Sequence, residues 1–141
     1  MTRVRDQGRV VLRQWLTEQG WSSRELPQGK RVVLVATRGG ARRTIRWSTK
    51  SSGTWQASIN DRPFEDGDHP DCYWAFVDLS KTVPRVRVYP EHAVRSQIAR
   101  EHTAYINSRG GHRPNNDASP HFGVKMSMID TLDRVHRTTW N

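Results

Sequence analysis

The chain predicts an α+β fold: a mostly antiparallel or mixed central sheet flanked by helices, in a single domain of 141 residues. Three observations lead there. Helical periodicity covers 4–19 and again 91–107. Between these stretches lie short apolar or alternating segments. Turns rich in Gly, Pro and Ser separate the segments. The order helix, antiparallel strands, helix, short tail sets helices against one sheet. The length favours one hydrophobic core. That core is expected over about 4–107, with a loop over 108–121 and a tail over 122–141 packing on the core.

The first helix is read over 4–19, where Val4, Gly8, Val11, Leu12, Trp15 and Gln19 follow helical spacing. Arg5, Arg9 and Arg13 then share the opposite, solvated side, and Gly20 stands where a helix-ending glycine is expected. Trp21 restarts the chain and Pro27-Gln-Gly29 reads as a turn. The run from Arg31 to Thr37 is apolar and β-branched, as a buried strand is. Arg38-Gly39-Gly40 supplies a turn of hairpin length. From Arg43 to Lys50 the residues alternate: Ile45 and Trp47 face one way, Arg46, Ser48 and Lys50 the other. After the turn Ser51-Ser52-Gly53, the alternation of Trp55, Ala57 and Ile59 predicts another strand. Asp61 to Asp71 is a polar loop. Tyr73 to Leu79 is a strongly apolar strand, and Arg85 to Tyr89 alternates with Val86 and Val88 inward. Pro90 suits the start of a helix over Glu91 to Asn107, with Val94, Ile98, Tyr105 and Ile106 on one face. A Gly-, Asn- and Pro-rich loop follows, and a short closing strand or helix is expected over 122–137.

Charge is the strongest functional signal. The formal net charge is +9. The stretch from Leu26 to Asn60 has no Asp or Glu, yet it carries Lys30, Arg31, Arg38, Arg42, Arg43, Arg46 and Lys50. So basic a hairpin suits a polyanion and is poorly suited to a divalent metal, which takes oxygen ligands, preferably charged ones. Cys72 is the one cysteine, which excludes an intramolecular disulfide and a cysteine-based zinc site. No apolar run approaches the length of a transmembrane helix, and the start lacks a signal peptide's apolar stretch. No membrane partner and a cytoplasmic location are the expectations.

Gly20-Trp21, then Ile45-Arg-Trp-Ser-Thr-Lys50, then Gly53-Thr-Trp-Gln56 form a recognisable order. With Trp74-Ala-Phe-Val-Asp-Leu79 and Val88-Tyr-Pro90 before a helix, it resembles small restriction-endonuclease-like proteins of the PD-(D/E)XK superfamily. The resemblance covers most of 5–110 and rests on the combination, not on any one motif. It implies a metal-dependent nuclease, with an acid on one strand and (Glu/Gln)-x-Lys on the next; the carboxylates hold a dication that activates water. This chain departs from the pattern at those positions. Arg31 to Thr37 contains no acid. One register of the second motif reads Ser48-Thr49-Lys50, and another, anchored on Gly53, reads Arg46-Trp47-Ser48. Neither supplies a carboxylate. Lys50, Ser48 and Glu18, the last standing in for a helix-borne acid, are the weak catalytic candidates, and no metal ligands are assigned.

Other groups carry less. Glu65-Asp-Gly-Asp-His-Pro-Asp71 lacks the spacing of a calcium loop and reads as a solvated acidic loop, or one folded against the basic hairpin. Nothing in the spacing of the six histidines singles out an acid–base pair. Trp47 and Trp55 fall on the apolar phase of their strands and read as core before base-stacking platforms. The expectation is therefore a nucleic-acid-binding protein, with DNA as the preferred polymer, on a degenerate and inactive nuclease fold. Arg38, Arg42, Arg43, Arg46, Lys50, Arg85 and Arg87 are the expected phosphate ligands. No cofactor is expected, or Mg²⁺ in the alternative of an active endonuclease with relocated acids. A protein-interaction or inhibitor role on the same face, or a homodimer, is the remaining alternative.

Overall fold

The computed structural model describes residues 4–29, 31–58, 71–108, 121–136 and 140. The acidic loop before Asp71, with Ile59 and His69, and the loop carrying His112 lie outside the described residues. The elements are α1 (Val4–Glu18), β1 (Ser22–Gln28), β2 (Arg31–Arg38), β3 (Ala41–Lys50), β4 (Trp55–Ser58), β5 (Cys72–Asp78), β6 (Arg85–Pro90), α2 (Glu91–Ser108), β7 (His121–Val124) and α3 (Met126–His136). Five strands form a mixed sheet in the order β1-β2-β3-β5-β6, and β4 pairs with β7 in a separate two-stranded ribbon. Only the β3–β5 pair is parallel in the large sheet. No helix among the described residues is long and apolar enough to cross a membrane.

Both faces of the sheet are covered. On one, Leu12 and Leu16 of α1 pack with Leu34, Ala36, Ile45, Tyr73, Ala75, Val77 and Trp140. On the other, Trp74, Phe76 and Tyr89 pack beneath Trp55, Val94, Ile98, Val124, Met128, Ile129 and Leu132. The near-total burial of β5 on both faces explains its unbroken apolar run. Full burial of side chains such as Leu12, Leu34 and Ile45 contributes roughly 1.5–3 kcal/mol each before the entropy of ordering is counted.

α1 meets the sheet over Thr49. A Cβ on Gly8 would lie 1.9 Å from the Thr49 hydroxyl oxygen, so the close approach requires glycine. The buried stripe is Gly8, Leu12 and Leu16, rotated from the expected face that included Val4 and Gln19, both of which are exposed. That rotation turns Arg9 and Arg13 toward β1 and away from open solvent: Arg9 lies 3.0 Å from Glu25, and Arg13 donates to the Ser23 carbonyl at 2.9 Å. Gly20 ends α1 with a φ of 85°.

Two assignments differ from the sequence expectation. The segment read as a restart and turn after Trp21 is strand β1, pairing along its whole length with β2. It is an edge strand, which explains its polar sequence and its tolerance of Pro27. The alternating segment at Trp55 is a strand, but it leaves the sheet and pairs with β7. The expected closing strand or helix is both, β7 followed by α3.

Candidate anion-binding site

Register fixes which side chains share a face. Lys50 of β3, Asp78 of β5 and Arg85 of β6 are direct neighbours across three strands. The next such row is Ser48, Phe76 and Arg87, and the one after it Arg46, Trp74 and Tyr89. Directly opposed residues project to the same side of a sheet. Alternation therefore brings Arg46, Ser48 and Lys50 to one face, as expected, but α2, β4 and α3 pack on that face and the three residues are half-buried.

Burial decides what each basic group does. The Arg46 guanidinium lies 3.8 Å from the Trp74 ring centroid and 3.3 Å from a Glu91 carboxylate oxygen, and both charged side chains are almost buried. Arg95 reaches the same carboxylate at 3.3 Å. Arg43 sits among Trp21, Tyr73 and Trp140, within 5.0 Å of each ring centroid, and donates to the Trp140 carbonyl. Arg38 lies over the outer side of Trp21 at 4.6 Å and donates to the Gln19 carbonyl at 3.0 Å. These three arginines clamp the fold. A cation–π contact contributes about 0.5–1 kcal/mol at an exposed site such as that of Arg38 and on the order of 2 kcal/mol when desolvated, as at Arg46. Arg42 is exposed and makes no salt bridge or side-chain hydrogen bond among the described residues.

The remaining cations converge. A recess of 240 Å³ opens where the C-terminal end of β5 meets α3, lined by Lys50, Trp55, Phe76, Asp78, Ser80, Lys81, Arg85, Arg87, Met126 and Ile129. Lys50 and Asp78 form its floor, each side chain 11% exposed, with Nζ to Oδ2 at 3.8 Å. The Lys50 ammonium also donates to the Gly53 carbonyl at 3.2 Å and lies 4.6 Å from the Trp55 ring centroid. Lys81, Arg85 and Arg87 form an exposed rim. Arg87 stands 4.0 Å from Asp133, whose carboxylate also accepts from the Tyr89 hydroxyl at 2.5 Å. Burial and the carboxylate of Asp133 push the Tyr89 hydroxyl far above its ordinary pKa, so it stays protonated as a donor.

Asp78 is the one acid in this lining among the described residues, and its charge is already spoken for. Burial by itself would raise its pKa. The Ser80 hydroxyl and backbone N–H, donating at 2.5 and 2.9 Å, together with Lys50 and Lys81, outweigh burial and hold the carboxyl below its usual value. Among the described residues, four cations face Asp78 in the lining and Asp133 beside Arg87, so the recess is net positive. Met126, the first residue of α3, adds the positive end of a helix dipole.

The catalytic candidates separate. Ser48 and Lys50 share a face, but the Ser48 oxygen accepts from the Trp74 indole at 3.0 Å. Glu18 follows Gly8, the residue at Thr49, by ten positions on α1, about 15 Å along the axis at 1.5 Å per residue. Its contact is with Gln14, at 3.5 Å. The residues of the second register line a different recess of 490 Å³ with Arg5, Val32, Thr49 and Gln56. No carboxylate lines that recess among the described residues. Among the described residues no group of three or more His, Cys, Asp or Glu side chains is placed to hold a metal ion. Trp55 is core, donating to the Val77 carbonyl at 3.0 Å, and Trp47 donates to the Arg5 carbonyl at 3.3 Å. Burial, and then the nearby charge of His92, lowers the pKa of His136.

Sequence reasoning singled out Lys50, Arg85 and Arg87 but missed Lys81, Ser80 and Asp78. The signal available was the polar turn Ser80-Lys81-Thr82 between two apolar strands. Comparison with family models, with curated proteins and with solved structures finds no match to this chain.

Proposed function

We propose that this protein binds nucleic acid through its phosphates, on a restriction-endonuclease-like fold that lacks the cutting machinery. The observation that carries the reading is the convergence of Lys50, Lys81, Arg85 and Arg87 on one recess, where the one carboxylate lining it among the described residues is already held by Ser80 and Lys50. Such a lining attracts anions in a chain of net charge +9, and phosphate contacts give affinity without reading sequence. DNA is the polymer the resemblance points to.

The inactive half of the reading is supported by what replaces the catalytic groups. At the two registers of the expected acid and lysine, Arg46 is bound to Glu91 and Trp74, Ser48 to Trp74, and Lys50 to Asp78. A dication beside Arg46 would meet net repulsion. The order of helix, basic hairpin, apolar strand and proline-led helix agrees with the resembled pattern, and it supports the fold reading as far as element order goes.

The test is charge reversal at the rim. Lys81→Glu with Arg85→Glu should reduce oligonucleotide affinity at least tenfold in fluorescence anisotropy, with the thermal midpoint little changed, because both side chains are exposed. Unchanged affinity contradicts the site. Cleavage of plasmid or single-stranded DNA that requires Mg²⁺ contradicts the inactive reading.

A further inference from the structure

We infer that the recess between β5, β6 and α3 accepts a terminal phosphomonoester, and so that the protein prefers phosphorylated strand ends over strand interiors. The inference rests on the phosphate-binding reading above and specifies which phosphate the site takes.

Shape is the first argument. The recess measures 240 Å³, against 490 and 620 Å³ for two other recesses of this chain. Pockets that enclose whole organic ligands run to roughly 300–1,000 Å³. This one has room for a phosphate and its displaced waters, at roughly 30 Å³ per water. A strand can enter by an end, with the rest outside.

Charge distribution is the second. Lys50 and Asp78 lie on the floor and Lys81, Arg85 and Arg87 at the rim, so the cations reach the recess from two strands, β3 and β6, and from the turn between β5 and β6. A row of cations along a groove would serve a backbone passing through. Cations gathered on one recess from two strands and a turn serve a group that points in. A phosphomonoester carries a charge of about −1.5 to −2 at neutral pH and offers three terminal oxygens, against a single charge and two free oxygens for a diester. Arginine at the rim favours bidentate contact with such a group.

Specific support comes from Asp78. It organises the floor: its carboxylate is bound to the Ser80 hydroxyl and backbone N–H and faces Lys50. The acid therefore holds Lys50 and the Ser80–Lys81 turn in place and does not leave an open negative charge toward an incoming phosphate. Met126 brings the first turn of α3 into the lining.

The experiment uses the full chain and a 12-nucleotide single strand labelled at one end, the other carrying a 5′-phosphate or a 5′-hydroxyl. Anisotropy titrations are run on the wild type and on Lys81→Ala with Arg85→Ala. In parallel, inorganic phosphate is titrated against the ¹⁵N-labelled protein. The expected result is at least tenfold tighter binding of the 5′-phosphorylated strand, a preference lost in the double variant. Phosphate should shift the Ser80, Lys81 and Arg85 amides. Equal affinity for both ends overturns the inference and leaves nucleic-acid binding standing. Amide shifts with phosphate but no strand binding overturn the strand-end source and identify a free phosphate site. No strand binding and no shifts overturn both readings.

Discussion

Replacing Arg46 by alanine separates a structural arginine from a phosphate-binding one. The side chain is 12% exposed, stacks 3.8 Å from the centroid of Trp74 and lies 3.3 Å from the buried Glu91 carboxylate. Breaking a buried ion pair by removing one partner costs about 3–5 kcal/mol. Arg95 remains 3.3 Å from Glu91, which lowers that figure, and the lost cation–π contact raises it. The expected net loss is about 3 kcal/mol, which for a domain of this size lowers the thermal midpoint by about 10 °C. Arg46→Lys keeps the charge but loses the planar stack and the forked donors, so it should recover about half of the loss. Glu91→Gln combined with Arg46→Ala closes a double-mutant cycle and gives the coupling directly. Thermal unfolding followed by circular dichroism is the assay, with oligonucleotide affinity measured on the same variants at a temperature where each is folded. A midpoint unchanged within about 2 °C, accompanied by a loss of affinity, would refute the internal role assigned to Arg46.

Two further outcomes follow from other contacts. Because the Asp78 carboxyl is held below its ordinary value, its contribution is present above the ordinary carboxylate range and is lost as pH falls through the depressed value. The midpoint difference between wild type and Asp78→Asn should therefore shrink from pH 6 toward pH 2.5, and a difference that grows on acidification would contradict the Ser80 and Lys50 contacts. Gly8→Ala should lower stability by about 1–3 kcal/mol in urea denaturation, since the new Cβ would lie 1.9 Å from the Thr49 hydroxyl oxygen and outweigh alanine's helix preference of about 1 kcal/mol. A neutral or stabilising Gly8→Ala would place α1 elsewhere on the sheet.

The fold was readable wherever a segment's own residues determine its state. β2 and β5 are apolar enough to demand burial on both faces, and Pro90 with Glu91 marks the entry to α2. β1 was hidden because an edge strand with one solvated side needs no apolar run, and Pro27 reads as a turn when its partner strand is unknown. The alternation at Trp55 predicts a strand but not a partner, and β7 lies beyond α2 in sequence. The same limit applies to the site. Alternation puts Arg46 and Lys50 opposite Ile45 and Trp47, and a charged strand face ordinarily means solvent. Here the counter-charges come from remote segments: Glu91 is 45 residues from Arg46, and Asp78 is on the parallel neighbour of β3. Cation–π contacts with Trp74, Trp55 and Trp140 complete the burial, and no local pattern announces them. Lys81 was overlooked because a lone lysine in a turn resembles any solvated turn residue.

Salt dependence of binding tests the central claim most directly. Lys81, Arg85 and Arg87 release counterions when phosphate binds, so log Kobs for a single strand should fall as log salt rises, with a slope of roughly −0.7 for each phosphate neutralised. Lys81→Ala with Arg85→Ala should make that slope shallower. A slope near zero in the wild type, or one unchanged by the double substitution, would contradict phosphate binding at this site.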